Sequence, residues 1–153
     1  SAVYRAQHGF DVTGLDFSAV AVELGRSRAA EAGVKLRFVE DDLTELRNVN
    51  GDFDFLVDYG TLDDLRSHGR DRYVQSVLPF THGGSQFLLW CFEWPLRRWE
   101  KIMFRLAFFG AMALEPGEAE RRFGDHFEIE RVAGEIDLST WPPGYAAYLM
   151  TRN

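Results

Sequence analysis

Short apolar runs alternate along this chain with stretches whose apolar residues recur at helical spacing, a pattern typical of an α/β domain. The apolar runs predict strands over residues 10–15, 34–39, 53–57 and 86–92. The periodic stretches predict helices over residues 19–32 and 70–78, the first capped by Ser18 and stopped by Gly33. Strands joined through helices favour a parallel sheet with right-handed crossovers.

The two ends of the chain have a different character. Residues 1–9 have the pattern of the end of a helix, with Gly9 as its stop signal. A long helix over 96–114 carries two apolar stripes, of which we expect Trp99, Met103 and Leu106 to face inward. A short helix over 118–123 precedes strands over 127–132 and 146–151, and the loop between these strands predicts an antiparallel pair.

Composition and charge narrow the class of protein. At 153 residues, with 46% hydrophobic and 27% charged residues, the chain predicts one globular domain over 1–153. A net charge of -7 disfavours a nucleic-acid partner. The basic residues Arg97, Arg98, Lys101 and Arg105 are expected on a solvated helix face, with an anion site as the alternative. Cys91 is expected as a buried thiol, and the chain has no membrane span by sequence, so we expect a cytoplasmic protein.

Acidic residues follow three of the predicted strands: Asp16, then Asp41 with Asp42, then Asp58. A carboxylate at the carboxyl end of a strand in an open α/β sheet can accept hydrogen bonds from both hydroxyls of a nucleoside ribose. The pattern therefore predicts an enzyme domain with a nucleoside cofactor. His8, His82 and His126 lack companions at metal-ligand spacing, so no metal site is expected.

These motifs resemble the class I S-adenosylmethionine-dependent methyltransferases, nearest to the small-molecule branch that includes thiopurine methyltransferase-like proteins. The resemblance rests on residues 14–18, 39–43 and 53–61 and on the antiparallel strands at the end of the chain. It implies a Rossmann-like α/β fold, with a mainly parallel sheet, helices on both faces and a terminal antiparallel pair. The family's usual first strand is lacking in this sequence. The implied reaction is methyl transfer to a small apolar or aromatic acceptor.

The resemblance also implies site residues. Those for the cofactor are Asp16, Phe17, Asp41, Asp42, Leu43, Asp58, Tyr59 and Gly60. Asp16 would bind the ribose and Asp42 the adenine, with Asp41 as the alternative at that position and Phe17 lying against the adenine or in the core. Asp58 and Tyr59 would line the transfer site. The residues expected for the acceptor are Trp94, Trp99, Phe104 and Phe108, although Trp94 and Trp99 also fit a place in the core. Asp63, Asp64 and His68 could reach a substrate, but we expect them to be surface charges.

The family's glycine-rich loop after the first strand is not found in this sequence. We therefore expect an upstream segment that belongs to the same protein. Two other functions stay open: an NAD(P)-dependent oxidoreductase, because an acidic strand end also suits that ribose, and a non-catalytic remnant that associates through its apolar helix, with a homodimer as one possible assembly.

Overall fold

A computed structural model describes residues 2–106 and 113–153, and the chain divides into two compact units, Ser1–Asn50 and Gly51–Asn153. Among the described residues, no helix is both long and apolar enough to cross a membrane. The long helix predicted over 96–114 is described as far as residue 106, so Phe108 and the second apolar stripe beyond it lie outside the described residues. Its predicted end is wrong, because Leu114 forms a parallel bridge with Glu93 instead of a helical turn.

The first unit holds two helices and a two-stranded sheet. Its elements in chain order are α1 (Ala2–Gln7), β1 (Thr13–Asp16), α2 (Ala19–Glu31) and β2 (Arg37–Glu40). The strands pair in parallel, with Thr13 opposite Arg37 and Asp16 opposite Glu40. The predicted caps are confirmed: the Ser18 Oγ accepts a hydrogen bond from the Ala21 N–H at 3.3 Å, and Gly33 has a φ of 65°.

One aromatic ring joins the strands of this unit to α2. A Cβ atom on Gly14 or Gly25 would lie 2.7 or 2.5 Å from the Phe38 ring, so this packing requires glycine at both positions. Val20 and Leu24 recur at helical spacing, which predicts that they share the covered face of α2, but both are exposed, and Val22 and Ala29 are buried instead.

The second unit is built on a four-stranded mixed sheet in the order β3-β4-β6-β5. Its elements are β3 (Phe55–Tyr59), α3 (Ser67–Val77), β4 (Gln86–Phe92), α4 (Arg98–Leu106), α5 (Glu118–Phe123), β5 (Phe127–Ile136) and β6 (Gly144–Arg152). β3 pairs with β4 in parallel, and β6 pairs antiparallel with both β4 and β5. The α/β class with parallel strands and a closing antiparallel pair is thereby confirmed.

Burial in this unit corrects two predictions. The continuous apolar run of residues 86–92 predicts a strand buried on both faces, but burial in β4 alternates, with Phe87, Leu89 and Cys91 buried and the residues between them half-exposed. The inward stripe predicted for α4 is also wrong, because Trp99, Met103 and Leu106 are 58%, 57% and 76% exposed. Periodicity shows which residues share a face, and tertiary packing decides which face is covered.

Candidate functional site

In the first unit, the end of β1 presents a carboxylate as predicted. Asp16 is the last residue of the strand, and its Oδ1 accepts a hydrogen bond from the Ser18 N–H at 2.9 Å. Among the described residues no hydrogen bond reaches its Oδ2. The local turn therefore holds the carboxylate by one oxygen and leaves the second available to a ligand.

The two acidic residues after β2 have different environments. Asp41 is buried, and its carboxylate accepts hydrogen bonds from the backbone N–H groups of Asp42, Arg47 and Asn48 at 2.7 to 3.0 Å. Asp42 is exposed, and its Oδ1 accepts from the N–H and hydroxyl of Thr44. Asp41 is therefore occupied in folding its own loop, while Asp42 lies at the surface where a ligand can reach it.

The two apolar residues named for the nucleoside also lie in this unit. Phe17 is 80% exposed, so the alternative that it belongs to the core is wrong. Leu43, one residue after Asp42, is half-buried.

In the second unit, the loop from β3 to α3 is held from inside by Asp58. Its carboxylate is buried and accepts hydrogen bonds from the N–H groups of Thr61 and Leu62 at 2.8 and 3.1 Å and from the Tyr73 hydroxyl. Burial raises the pKa of Asp58, and burial raises the pKa of Tyr73 as well. The Asp58 side chain shapes this loop, and the loop surface is formed by Tyr59 and Gly60.

Asp63 is the largest surprise in this loop. It was predicted as a surface charge, but it is 1% exposed. Its Oδ2 accepts a hydrogen bond from the Phe92 N–H at 2.9 Å, and its Oδ1 has no hydrogen-bond partner among the described residues. Burial, with smaller contributions from the Asp64 and Asp58 carboxylates, raises the pKa of Asp63 to about 6. Asp64 and His68 are exposed as predicted.

A buried arginine that we did not predict organises the same loop. Arg70, in the first turns of α3, is 4% exposed and pairs with the Glu118 carboxylate at 2.9 Å. Its Nε and Nη2 atoms donate to four backbone carbonyl oxygens at 2.8 to 3.2 Å, those of Leu62, Asp63, Leu65 and Ala113. The available signal was its helical spacing, because it shares one face with Tyr73, Val74 and Val77.

Three aromatic rings form a ladder across the exposed face of β3, β4 and β6. Tyr59 stacks on Trp90 with ring centroids 4.4 Å apart, and Trp90 stacks on Tyr145 at 6.0 Å. Tyr59 is 74% exposed, so the outer ring of this ladder is open to solvent. A flat apolar molecule can stack against such a surface.

The four aromatic residues named for the acceptor are not gathered into this ladder. Trp94 is buried, and its ring contacts are with Phe92 and Trp141, whereas Trp99 is exposed on α4. Phe104 lies in α4, but its side chain is outside the described set, and so is Phe108.

A cleft of about 820 Å³ opens where α3, α4 and α5 converge. Its walls carry the ion pairs Lys101–Glu115 and Arg70–Glu118, at 2.6 and 2.9 Å. The cleft is therefore lined by charged side chains, five basic and three acidic, which does not suit an apolar acceptor.

Comparison with known proteins agrees with this geometry. Residues 1–82, more than half of the chain, match the family model described as a methyltransferase domain. The chain is 26% identical over 94 residues to a 2-heptyl-1-hydroxyquinolin-4(1H)-one methyltransferase of Mycobacteroides abscessus, across 61% of this chain and 41% of that protein. It is 25% identical over 104 residues to an uncharacterized methyltransferase of Schizosaccharomyces pombe, across 65% of this chain and 72% of that protein.

Solved structures share the fold at lower identity. A methyltransferase of Methanosarcina mazei described as SAM-dependent superposes with a TM-score of 0.74 at 20% identity, covering 98% of this chain and 86% of that one. The magnesium protoporphyrin IX methyltransferase of Synechocystis PCC 6803 with bound SAH superposes with a TM-score of 0.73 at 17% identity, covering 99% and 68%.

Proposed function

This chain belongs to the methyltransferase domain family, and on that premise we propose that it transfers a methyl group from S-adenosylmethionine to a small apolar or aromatic acceptor. The observation that carries the proposal lies within the matched region. Carboxylates follow the ends of the two paired parallel strands β1 and β2, and Asp16 keeps one oxygen without a partner among the described residues.

For the first unit, we propose contacts with the nucleoside part of the cofactor. Asp16 suits the ribose, because its Oδ2 can accept hydrogen bonds from hydroxyl groups while Oδ1 stays bound to the Ser18 N–H. The exposed carboxylate of Asp42 suits the adenine amino group, and Leu43 and the exposed Phe17 suit its ring. Asp41 supports these contacts by holding the loop that follows it.

For the second unit, we propose that Tyr59 and Gly60 line the transfer site and that Asp58 holds their backbone in place. Bound S-adenosylmethionine supplies an electrophilic methyl group on a sulfonium with a neutral leaving group. The chain's task is then to position the nucleophile at about 3 Å from that methyl carbon and to exclude water. Its rigid, internally bonded loop provides such positioning.

The acceptor class rests on the aromatic ladder and on one relative. Tyr59, Trp90 and Tyr145 offer stacked rings to a flat molecule, and the relative from M. abscessus is named for a quinolone acceptor. The buried Trp94 is linked to this surface only through Phe92, whose ring contacts both Trp90 and Trp94. Trp99, Phe104 and Phe108 keep their proposed place along the acceptor path. The thiopurine methyltransferase-like branch, a single domain, a cytoplasmic location, a homodimer and the lack of a nucleic-acid partner stay predictions.

Calorimetric titration tests the proposal. We expect S-adenosylmethionine and S-adenosylhomocysteine to bind and NAD not to bind. Asp16→Asn should weaken both adenosyl compounds by roughly ten- to a hundredfold, because both carry the ribose that this carboxylate contacts. Asp11→Asn is the matched control: it removes an exposed carboxylate from the same unit and should leave both affinities unchanged. NAD binding in place of the adenosyl compounds would contradict the proposal.

A further inference from the structure

The loop between β3 and α3 contains a buried carboxylate oxygen that has no hydrogen-bond partner outside its own residue among the described residues. Asp63 directs Oδ2 to the Phe92 N–H, which ties the loop to the end of β4, while Oδ1 has no hydrogen-bond partner among the described residues. Buried polar atoms in native structures almost always have a partner. The neighbouring Asp58 carboxylate has several hydrogen-bond donors within this loop, whereas Asp63 Oδ1 has none from another residue. Its partner is therefore expected to be a group that is not part of the chain.

Oδ1 borders a space that glycine leaves open. Gly60 has a φ of 79°, and a Cβ atom placed on it would lie 3.9 Å from Asp63 Oδ1 and 3.8 Å from the Trp90 ring. Both are ordinary contact distances, so the missing side chain of Gly60 leaves room for about one carbon atom, with an aromatic ring on one side and a carboxylate oxygen on the other. Aromatic faces and carboxylates are the two groups by which proteins recognise cations.

No cation of the described part of the chain neutralises this carboxylate. Arg70 is the nearest candidate by sequence, but its guanidinium donates to backbone carbonyls and to Glu118. Asp64 and Asp58 contribute further negative charge, and they, with burial, raise the pKa of Asp63. A cationic ligand group at Oδ1 would relieve both the repulsion and the cost of burial.

We propose that Asp63 is the counter-charge for a cationic ligand group that enters the gap at Gly60, and that this group is the sulfonium of S-adenosylmethionine. The assignment rests on the proposed function, since it takes the cofactor from there. It adds a property that the proposed function lacks: the second unit discriminates by charge between the methylated cofactor and its neutral product. Weaker holding of S-adenosylhomocysteine at this position favours its release after each turnover.

Binding measured at pH 7.5 tests the inference, because the two ligands differ in the sulfonium charge. Asp63→Asn keeps an oxygen for the Phe92 N–H and removes the charge. It should weaken S-adenosylmethionine by roughly ten- to a hundredfold and S-adenosylhomocysteine less than threefold. Asp64→Asn is the matched control, since it removes the adjacent carboxylate, which is exposed and screened by solvent, and it should change either affinity by less than about twofold.

Proton release by the unmodified protein gives a second test that needs no variant. At pH 6 about half of the Asp63 carboxyls carry a proton, and a neighbouring cation favours the ionised form. Calorimetry in phosphate and in Bis-Tris buffer should therefore show release of up to about half a proton with S-adenosylmethionine and almost none with S-adenosylhomocysteine.

The outcomes separate the inference from the proposed function. Equal weakening of the two ligands by Asp63→Asn, or equal proton release with both, refutes the counter-charge and leaves the methyltransferase proposal standing. Unchanged binding of both ligands by Asp63→Asn refutes it too, and then an internal water is the partner of Oδ1. Failure of the unmodified protein to bind either ligand refutes the proposed function and this inference together.

Discussion

Replacement of Arg70 by methionine should destabilise the second unit severely. The buried guanidinium donates to four backbone carbonyls and pairs with Glu118, so its removal leaves several acceptors without donors in a region that water reaches poorly. A buried acceptor without a partner costs about 1–3 kcal/mol, and breaking a buried ion pair costs about 3–5 kcal/mol.

The cost of breaking the Arg70–Glu118 ion pair falls at the low end of the range of about 3–5 kcal/mol. Glu118 keeps a second partner, because Arg122 also pairs with its Oε1, at 2.8 Å. Three of the four carbonyls, those of Leu62, Asp63 and Leu65, belong to one loop that can relax, so the separate costs do not add in full. We therefore expect Arg70→Met to lower the free energy of unfolding by about 3–5 kcal/mol.

Urea unfolding followed by tryptophan fluorescence is the suitable assay. All four tryptophans, Trp90, Trp94, Trp99 and Trp141, lie in the second unit, so the signal reports on that unit. With a slope of about 2 kcal/mol per molar urea, a loss of 4 kcal/mol moves the midpoint down by about 2 M.

Two further variants control the experiment. Arg72→Met removes the same charge from an exposed position of the same helix, where side-chain interactions are screened by solvent, and should change stability by less than about 1 kcal/mol. Arg70→Lys keeps the charge but not the planar set of donors, so it should lose about 1–3 kcal/mol and remain measurable if the methionine variant does not fold. A loss below about 1 kcal/mol for Arg70→Met would show that Arg70 does not hold this loop.

Two other predictions concern single side chains of the second unit. His82 is hydrogen-bonded to the Gly83 carbonyl and, at 2.9 Å, to the Asp54 carboxylate, and these contacts raise its pKa. Its stabilising contribution is therefore complete below about pH 6.5 and is lost as the pH rises through the folded-state pKa. An NMR titration should give a pKa for His82 above 6.5 that falls in Asp54→Asn; an unchanged value would contradict the contact. Cys91 is buried and burial raises its thiol pKa, so a thiol reagent at pH 8 should react with it only after urea unfolding, and rapid labelling of the folded protein would show that the core opens there.

The order of elements and the acidic strand ends could be predicted from the sequence because both depend on neighbours along the chain. Ser18 caps α2 through the N–H three residues later, and β4 and α5 have the predicted bounds. The family, too, was evident from residues 14–18, 39–43 and 53–61 in their order. Helix caps, element bounds and strand ends depend on local hydrogen bonds, turn preferences and hydrophobic periodicity, all of which involve residues only a few positions apart.

The electrostatic character of each acidic residue was decided only by tertiary structure. Asp41 and Asp42 are adjacent, and so are Asp63 and Asp64, yet in each pair one residue is buried and the other exposed. Asp63 is buried because its loop closes onto the Phe92 N–H, 29 positions later in the chain, and Arg70 pairs with Glu118, 48 positions later. Burial depends on such distant contacts, which the sequence pattern around a residue does not contain, whereas a helix cap or a strand end depends on contacts that it does.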